Sequence, residues 1–122
     1  MEQTTTTMKI FHNPRCRKSR EALAFLEEKN IDFEVVLYLQ NTPSLSELKA
    51  IRKALDMPAE GMLRKGEKLF KEKFKGQIHS DDEWLKIMQE NPVLIERPII
   101  VDNNKALIAR PLENINQLFE KS

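Results

Sequence analysis

A chain of 122 residues, 40% of them hydrophobic, is long enough for one domain with a single core. Its 20 basic and 19 acidic residues nearly cancel, which gives no general attraction to nucleic acid or to a membrane surface, and no run of about 18 apolar residues could span a bilayer. The single cysteine excludes an internal disulfide and a four-cysteine zinc site and suits a reducing compartment, so we expect a cytoplasmic protein that binds neither nucleic acid nor membrane.

The N-terminal part of the chain reads as strand, helix and strand. Residues 1–7 are polar and are expected to be a flexible tail, so that a single folded domain spans 8–122. A short apolar strand is predicted at 8–11, and an amphipathic helix from 16 to about 29. Residues 33–39 are β-branched and aromatic, which favours a second strand. The pattern is typical of a βαβ unit with parallel strands.

Residues 44–91 are predicted to be helical throughout. Ser44 and Ser80 each precede a glutamate by three residues, Glu47 and Glu83, which matches the capping box at the start of a helix. The helices of this block are expected at 45–55, in a short piece after Pro58, at 67–74 and from 81 to the Asn91-Pro92 break.

Strands return near the C-terminus. The expected elements are strands at 99–101 and 106–109, a turn at 102–105, and a final helix from Pro111 with Ile115, Leu118 and Phe119 facing the core. The predicted fold class is therefore α/β, with a four-stranded mixed sheet of thioredoxin type and a helical insertion at about residues 44–91.

The only cysteine, Cys16, stands at the opening turn of the first predicted helix, after a loop closed by Asn13-Pro14. A helix N-terminus exposes unpaired N–H groups that favour a thiolate over a thiol. The basic residues close to it in sequence are Arg15, Arg17, Lys18 and Arg20. We expect Cys16 to have a lowered pKa and to act as a nucleophile. The alternative, a small buried hydrophobe, fits poorly with four basic neighbours.

Three arginines, Arg64, Arg97 and Arg110, lie in apolar or turn-like surroundings. A guanidinium group clamps an oxyanion with forked hydrogen bonds. Arg97 and Arg110 fall at the start and end of the predicted hairpin, so both can lie at one end of the sheet. Periodicity does not place Arg64 beside them, and an ordinary surface salt bridge is the alternative for each.

Other residues narrow the possible chemistry. His12 precedes Cys16 by four residues and can tune its ionisation or orient the loop, unless it is only a loop residue. Pro98 stands directly before a strand, as a candidate cis bond or an ordinary strand-start proline. Ser19 rules out a Cys-x-x-Cys pair, and Ala22 occupies the position where a phosphatase loop needs arginine. The two histidines are far apart, so no metal site is predicted.

The residues around the cysteine are His12-Asn13-Pro14-Arg15-Cys16-Arg17-Lys18-Ser19-Arg20. They closely resemble the active-site segment of the glutaredoxin-coupled arsenate reductases. The resemblance covers nearly all of residues 8–122, in order and with compatible spacing. Its further matches are Leu37-Tyr38-Leu39, Pro43-Ser44, Glu47-Leu48, Leu63-Arg64-Lys65, Asn91-Pro92, Arg97-Pro98-Ile99 and Arg110-Pro111.

The resemblance implies a thioredoxin-like fold with a cis bond at Pro98, and an arsenate reductase without a bound cofactor. Cys16 would attack arsenic, and His12 and Ser19 would assist its thiolate. In the scheme of that family, glutathione attacks the adduct of cysteine and arsenate, glutaredoxin resolves the mixed disulfide, and arsenite leaves. Glutathione is then a co-substrate and glutaredoxin a partner. The residues implied to hold the oxyanion are Arg64, Arg97 and Arg110.

The chain departs from well-characterised members directly after the cysteine, where Arg17-Lys18 replaces a small, less charged pair. Two alternative functions therefore stay open. The first is a related thiol oxidoreductase without arsenate turnover. The second is a regulator of the Spx type, which shares the fold and binds RNA polymerase. Many of those regulators carry a Cys-x-x-Cys pair, which Ser19 removes here.

Overall fold

The computed structural model describes residues 8–103, 105–110 and 112–118. The predicted tail at 1–7, as well as Pro111 and Phe119, lies outside the described residues. The chain forms two compact units: the first contains the segments up to Leu37 and from Arg97 onward, and the second is Tyr38–Glu96. The second unit is thus an insertion in the sequence of the first, as expected, and a single domain over 8–122 stays a prediction.

The first unit contains a four-stranded mixed sheet. In it β1 pairs in parallel with β2 and antiparallel with β3, which pairs antiparallel with β4, so the strand order is β2-β1-β3-β4. This confirms the predicted thioredoxin-like fold class. The elements are β1 (Met8–Phe11), α1 (Arg17–Glu28), β2 (Glu34–Val36), β3 (Ile99–Asp102), β4 (Lys105–Ile108) and a 3-10 helix (Leu112–Leu118) in place of the predicted final helix.

A hydrophobic cluster joins α1 and the 3-10 helix to the sheet. Its apolar residues recur on one side of α1, as the helical pattern predicts. Full burial of a side chain such as Leu26, which is 0% exposed, contributes about 1.5–3 kcal/mol. The buried members are Met8, Ile10, Ala22, Leu26, Ile100, Leu107, Ala109 and Ile115. This core fixes α1 against β1, and therefore also the short connection between them.

Strand β2 is shorter than its sequence suggests. A strand was expected over 33–39, but pairing is limited to Glu34–Val36 and the chain turns at 38–40. The partner strand β1 ends at Phe11, so the ladder has no further residues to pair with. Phe33 contributes to the core from outside the ladder. The β-branched run therefore predicted a strand that is too long, because the length of a strand is set by its partner strand as well as by residue propensity.

The second unit is helical, which confirms the predicted insertion. It adds one feature that the sequence did not indicate, an isolated antiparallel bridge between Leu63 and Ile95. Helix α4 packs against α2 and against both 3-10 helices of the unit. These elements are α2 (Leu45–Leu55), a 3-10 helix (Ala59–Met62), α3 (Lys68–Lys73), α4 (Asp81–Glu90) and a 3-10 helix (Pro92–Leu94).

Both predicted serine caps are present. The Ser44 hydroxyl accepts a hydrogen bond from the N–H of Glu47 at 3.1 Å. At α4 the box is complete, because the Ser80 hydroxyl accepts from the N–H of Glu83 at 3.2 Å, and the Glu83 carboxylate accepts from the N–H of Ser80 at 2.8 Å. These bonds satisfy N–H groups that the first turn of a helix leaves without a partner.

We expect Ser80→Ala to lower the free energy of unfolding by about 1 kcal/mol, the usual contribution of such a cap. Chemical denaturation followed by circular dichroism measures this loss. Ser46→Ala is the matched control, because this exposed serine lies inside α2 and alanine has the higher helix propensity. An equal loss in the two variants would contradict the role of the cap.

Candidate functional site

The connection between β1 and α1, residues 12–16, forms a tight loop that we call the Cys16 loop. A buried polar backbone must find hydrogen-bond partners, and here each N–H group has one. The side chain of Asn13 takes part, because it accepts from the residue two positions later, as in an Asx-turn. The bonds run from His12 N to Val36 O (2.9 Å), Asn13 N to Ser19 Oγ (3.0 Å), Arg15 N to Asn13 Oδ1 (3.0 Å) and Cys16 N to Asn13 O (2.9 Å).

Cys16 is the N-cap residue of α1 and is half-buried. Burial raises the pKa of its thiol, but attraction from the Arg97 guanidinium and from the backbone N–H groups of Ser19 and Lys18 outweighs this, and the pKa is lowered overall. The neutral thiol makes no cap hydrogen bond to the helix. The N–H groups at the helix start therefore favour chiefly the charged thiolate.

The direction of this pKa shift is the predicted one, but its cause is different. The sequence pointed to the basic neighbours of Cys16, whose side chains are exposed to solvent. Arg17, for example, is 83% exposed and pairs with Glu21 at 3.3 Å. The side chain that acts on the thiol is Arg97, far away in sequence. A charge that is screened by water shifts the pKa of a neighbouring group only weakly, whereas a buried guanidinium that hydrogen-bonds to the group shifts it strongly.

The hairpin of β3 and β4 brings Arg97 and Arg110 together, as predicted. Arg97 is 8% exposed, and the peptide bond that joins it to Pro98 is cis. The Arg110 guanidinium donates a 3.4 Å hydrogen bond to the Arg97 carbonyl, and the N–H of Ala109 donates to the Pro98 carbonyl at 2.9 Å. Two guanidinium groups therefore lie at the end of the sheet where Arg97 meets Cys16.

Arg64 belongs to the second unit and is engaged there by carboxylates. Its Nε donates to Glu67 at 2.9 Å and its Nη1 to Glu96 at 3.4 Å. The side chain is 26% exposed, which makes these partly buried ion pairs rather than fully solvated ones. The salt-bridge alternative thus describes the contacts of Arg64, and its place in an oxyanion site stays a prediction.

His12, the first residue of the Cys16 loop, forms a buried pair with Ser19 of α1. The His12 Nδ1 lies 2.6 Å from the Ser19 Oγ, and the two residues are 5% and 0% exposed. Burial lowers the pKa of the His12 imidazole, and the positive charge of Arg20 lowers it further. An uncharged imidazole is therefore favoured at neutral pH. The Ser19 hydroxyl also accepts the N–H of Asn13 and so joins the loop to α1, while both roles considered for His12 stay predictions.

The sequence did not single out two residues that hold the loop, Asn13 within it and Arg20 in α1. Asn13 is 8% exposed and holds the N–H groups of both Arg15 and Cys16. Asparagine side chains in turns commonly make such bonds, so the sequence could have indicated this role of Asn13. Arg20 donates from Nη1 to the Pro14 carbonyl at 2.8 Å. Nothing in the sequence distinguishes this arginine from its basic neighbours.

Among the residues that the structure describes, no group of three or more His, Cys, Asp and Glu side chains could hold a metal ion. None of the helices described is both long and apolar enough to cross a bilayer.

The arrangement around Cys16 suits attack on an anionic electrophile. The helix start and Arg97 stabilise the thiolate, and Cys16 is only half-buried. Guanidinium groups also bind oxyanions through forked, charge-assisted hydrogen bonds. A small oxyanion with an electrophilic centre is therefore the substrate class that this geometry favours.

Comparisons with known proteins agree with this chemistry. The model of the ArsC family matches residues 11–118. An arsenate reductase of Neisseria meningitidis is 50% identical over 92% of this chain and 97% of its own length. A protein of Escherichia coli named "Uncharacterized protein YfgD" is 41% identical over 93% and 98%. The structure of an arsenate reductase from Vibrio cholerae superimposes with a TM-score of 0.87 at 41% identity, covering 93% of this chain and 98% of that one.

Proposed function

This chain belongs to the ArsC family, and we propose that it is an arsenate reductase that uses Cys16 as nucleophile and glutathione with glutaredoxin as external reductants. The observation that carries the proposal is the Arg97 guanidinium beside the Cys16 sulfur. One group there can both favour the thiolate and bind a substrate oxygen. Similarity to arsenate reductases supports an oxidoreductase that acts on an oxyanion.

The proposed reaction begins when the Cys16 thiolate attacks arsenic(V) and forms a sulfur–arsenic bond, while one oxygen leaves as water. Arg97 and Arg110 hold the remaining oxygens. Glutathione then attacks arsenic, and its sulfur replaces a second oxygen, which leaves as water. A glutaredoxin thiolate attacks the glutathione sulfur and forms a mixed disulfide, and the electron pair of the broken sulfur–arsenic bond stays on arsenic, which becomes arsenic(III). Water finally displaces the Cys16 thiolate from arsenic, and arsenite leaves. Two external thiols lose two electrons and arsenic gains two, so a single cysteine in the chain is sufficient.

This scheme needs no bound cofactor, because the electrons come from thiols that diffuse to the site. It also fits a cytoplasmic location, where glutathione is kept reduced. His12, Ser19 and cis Pro98 support the reaction indirectly. They hold the Cys16 loop and the start of β3 in place, and none of them exchanges electrons with arsenic.

A coupled assay tests the proposed function. The protein is mixed with arsenate, glutathione, glutaredoxin, glutathione reductase and NADPH, and oxidation of NADPH is followed. We expect a rate that depends on arsenate and is lost when glutaredoxin is omitted. Thiol titration establishes beforehand that Cys16 is reduced. A reduced protein that gives no rate above background would contradict the proposal.

A thiol oxidoreductase without arsenate turnover is the second candidate. The observation in its favour is that Arg64 is held by Glu67 and Glu96, which compete with any oxyanion. For this candidate we expect exchange of Cys16 with glutathione disulfide and no arsenate-dependent rate. Binding to RNA polymerase, the remaining alternative, is tested by pull-down of polymerase subunits, and an empty result removes it.

A further inference from the structure

We propose that Arg20 is a positioning residue for Cys16, which fastens the Cys16 loop from the first part of α1. This inference rests on the proposed function, since it takes Cys16 as the reacting group. It concerns a residue that touches neither the sulfur nor the substrate. Its effect is expected to pass through the loop backbone and through the buried pair of His12 and Ser19.

Arg20 is bonded to the loop at two points. Its backbone N–H donates to the Cys16 carbonyl at 3.0 Å, which is the first helical bond of α1. Its Nη1 reaches back to the Pro14 carbonyl at 2.8 Å. Proline has no N–H group, so the chain at Pro14 can be held only through its carbonyl. The Arg20 guanidinium therefore holds Pro14, which takes no part in the other hydrogen bonds of the loop.

Arg20 is also expected to act on the loop through the buried pair of His12 and Ser19. The Ser19 Oγ already accepts the N–H of Asn13 at 3.0 Å, which leaves its hydroxyl hydrogen available to the His12 Nδ1 at 2.6 Å. An uncharged imidazole can accept that hydrogen at Nδ1, whereas a protonated one carries hydrogens on both nitrogens. Burial is the main reason why protonation of His12 is disfavoured, and the positive charge of Arg20, although this side chain is exposed, adds to it. The same side chain thus contributes to keeping the hydrogen-bond network that holds Asn13.

Arg20 does not act on the thiol directly. The groups that lower the Cys16 pKa are the Arg97 guanidinium and the N–H groups of Ser19 and Lys18. Those N–H groups favour the thiolate only while the loop keeps the sulfur at the helix start. Loss of the Arg20 contacts is therefore expected to displace the sulfur from these N–H groups and to raise the Cys16 pKa. This effect is indirect, because Arg20 is not one of the groups that lower that pKa.

The test compares Arg20→Gln with Arg20→Lys by two titrations. The His12 imidazole is titrated by NMR, and the Cys16 thiol by the pH dependence of its alkylation with iodoacetamide. In Arg20→Gln we expect both midpoints to rise, and kcat to fall about threefold, as for loss of one modest hydrogen bond, with KM for arsenate unchanged. Arg20→Lys keeps the charge but not the fork, so it should restore the His12 midpoint and only part of kcat.

Arg17→Gln is the matched control, because it removes the same charge from an exposed position of α1 where the partner is Glu21. It should leave the His12 midpoint unchanged. The proposal is overturned if Arg20→Gln leaves both midpoints at their original values, or if Arg17→Gln shifts His12 equally. Neither titration requires arsenate, so a protein without arsenate turnover whose midpoints still move would contradict the proposed function and not this inference.

Discussion

Cys16→Ser is expected to abolish arsenate reduction, with a fall in turnover of at least about 10³-fold, as seen when a catalytic nucleophile is removed. A serine hydroxyl does not ionise near neutral pH and cannot form the sulfur–arsenic bond or a mixed disulfide. The coupled assay with glutathione and glutaredoxin measures the loss. Because the chain has one cysteine, thiol titration of this variant should also fall to zero.

The control for this variant is its stability. Cys16 is half-buried and its thiol makes no cap hydrogen bond, so serine at this position should leave the unfolding transition close to that of the original protein. Serine is also a favourable N-cap residue. A folded Cys16→Ser protein that still reduces arsenate would show that Cys16 is not the nucleophile.

Arg97→Lys is expected to lower kcat/KM for arsenate about 10²-fold, the usual effect of losing one donor that stabilises charge in the transition state. Lysine retains the charge but replaces a planar fork by a single point of contact. Arg97 is 8% exposed, so solvent cannot readily substitute for the lost donors. Arg52→Lys is the control, because this arginine pairs with Asp81 within the helical unit. Its activity should be unchanged.

The pH dependence of Cys16 alkylation provides a second test of the role of Arg97. Arg97 lowers the pKa of the Cys16 thiol, so the thiolate is populated at lower pH than in an ordinary cysteine. Arg97→Gln removes this attraction while burial still raises the pKa. We therefore expect the alkylation profile to move to higher pH and the rate at neutral pH to fall. An unchanged profile would contradict the role of Arg97.

Sequence patterns predicted the local features of this molecule well. The cap at Ser80 depends on residues three positions apart, and the helix after Cys16 on a repeat of apolar positions within one segment. The convergence of Arg97 and Arg110 also followed, because a hairpin returns to its own starting point. In each case the interaction is decided by a short stretch of chain, which a sequence displays directly.

Features that depend on distant segments were not predictable in the same way. The basic residues next to Cys16 suggested a local cause for its lowered pKa, whereas the guanidinium that lowers it belongs to Arg97, two residues before the start of β3. The ion pair of Arg64 with Glu96 joins residues that are 32 positions apart in the sequence. Even the length of β2 was set by its partner β1. Tertiary contacts decide all three, and composition does not encode them.

The buried hydroxyl of Ser19 has a consequence for kinetics. It occupies the position where a dithiol enzyme carries its second sulfur, and it is already bonded to His12 and Asn13. In the proposed reaction, a catalytic cycle that starts on Cys16 has no second cysteine of the chain to complete it, so each turnover requires a thiol from outside. The steady-state rate of arsenate reduction is then expected to rise in proportion to the external thiol concentration until another step limits it, and the proposed activity would follow the redox state of its surroundings.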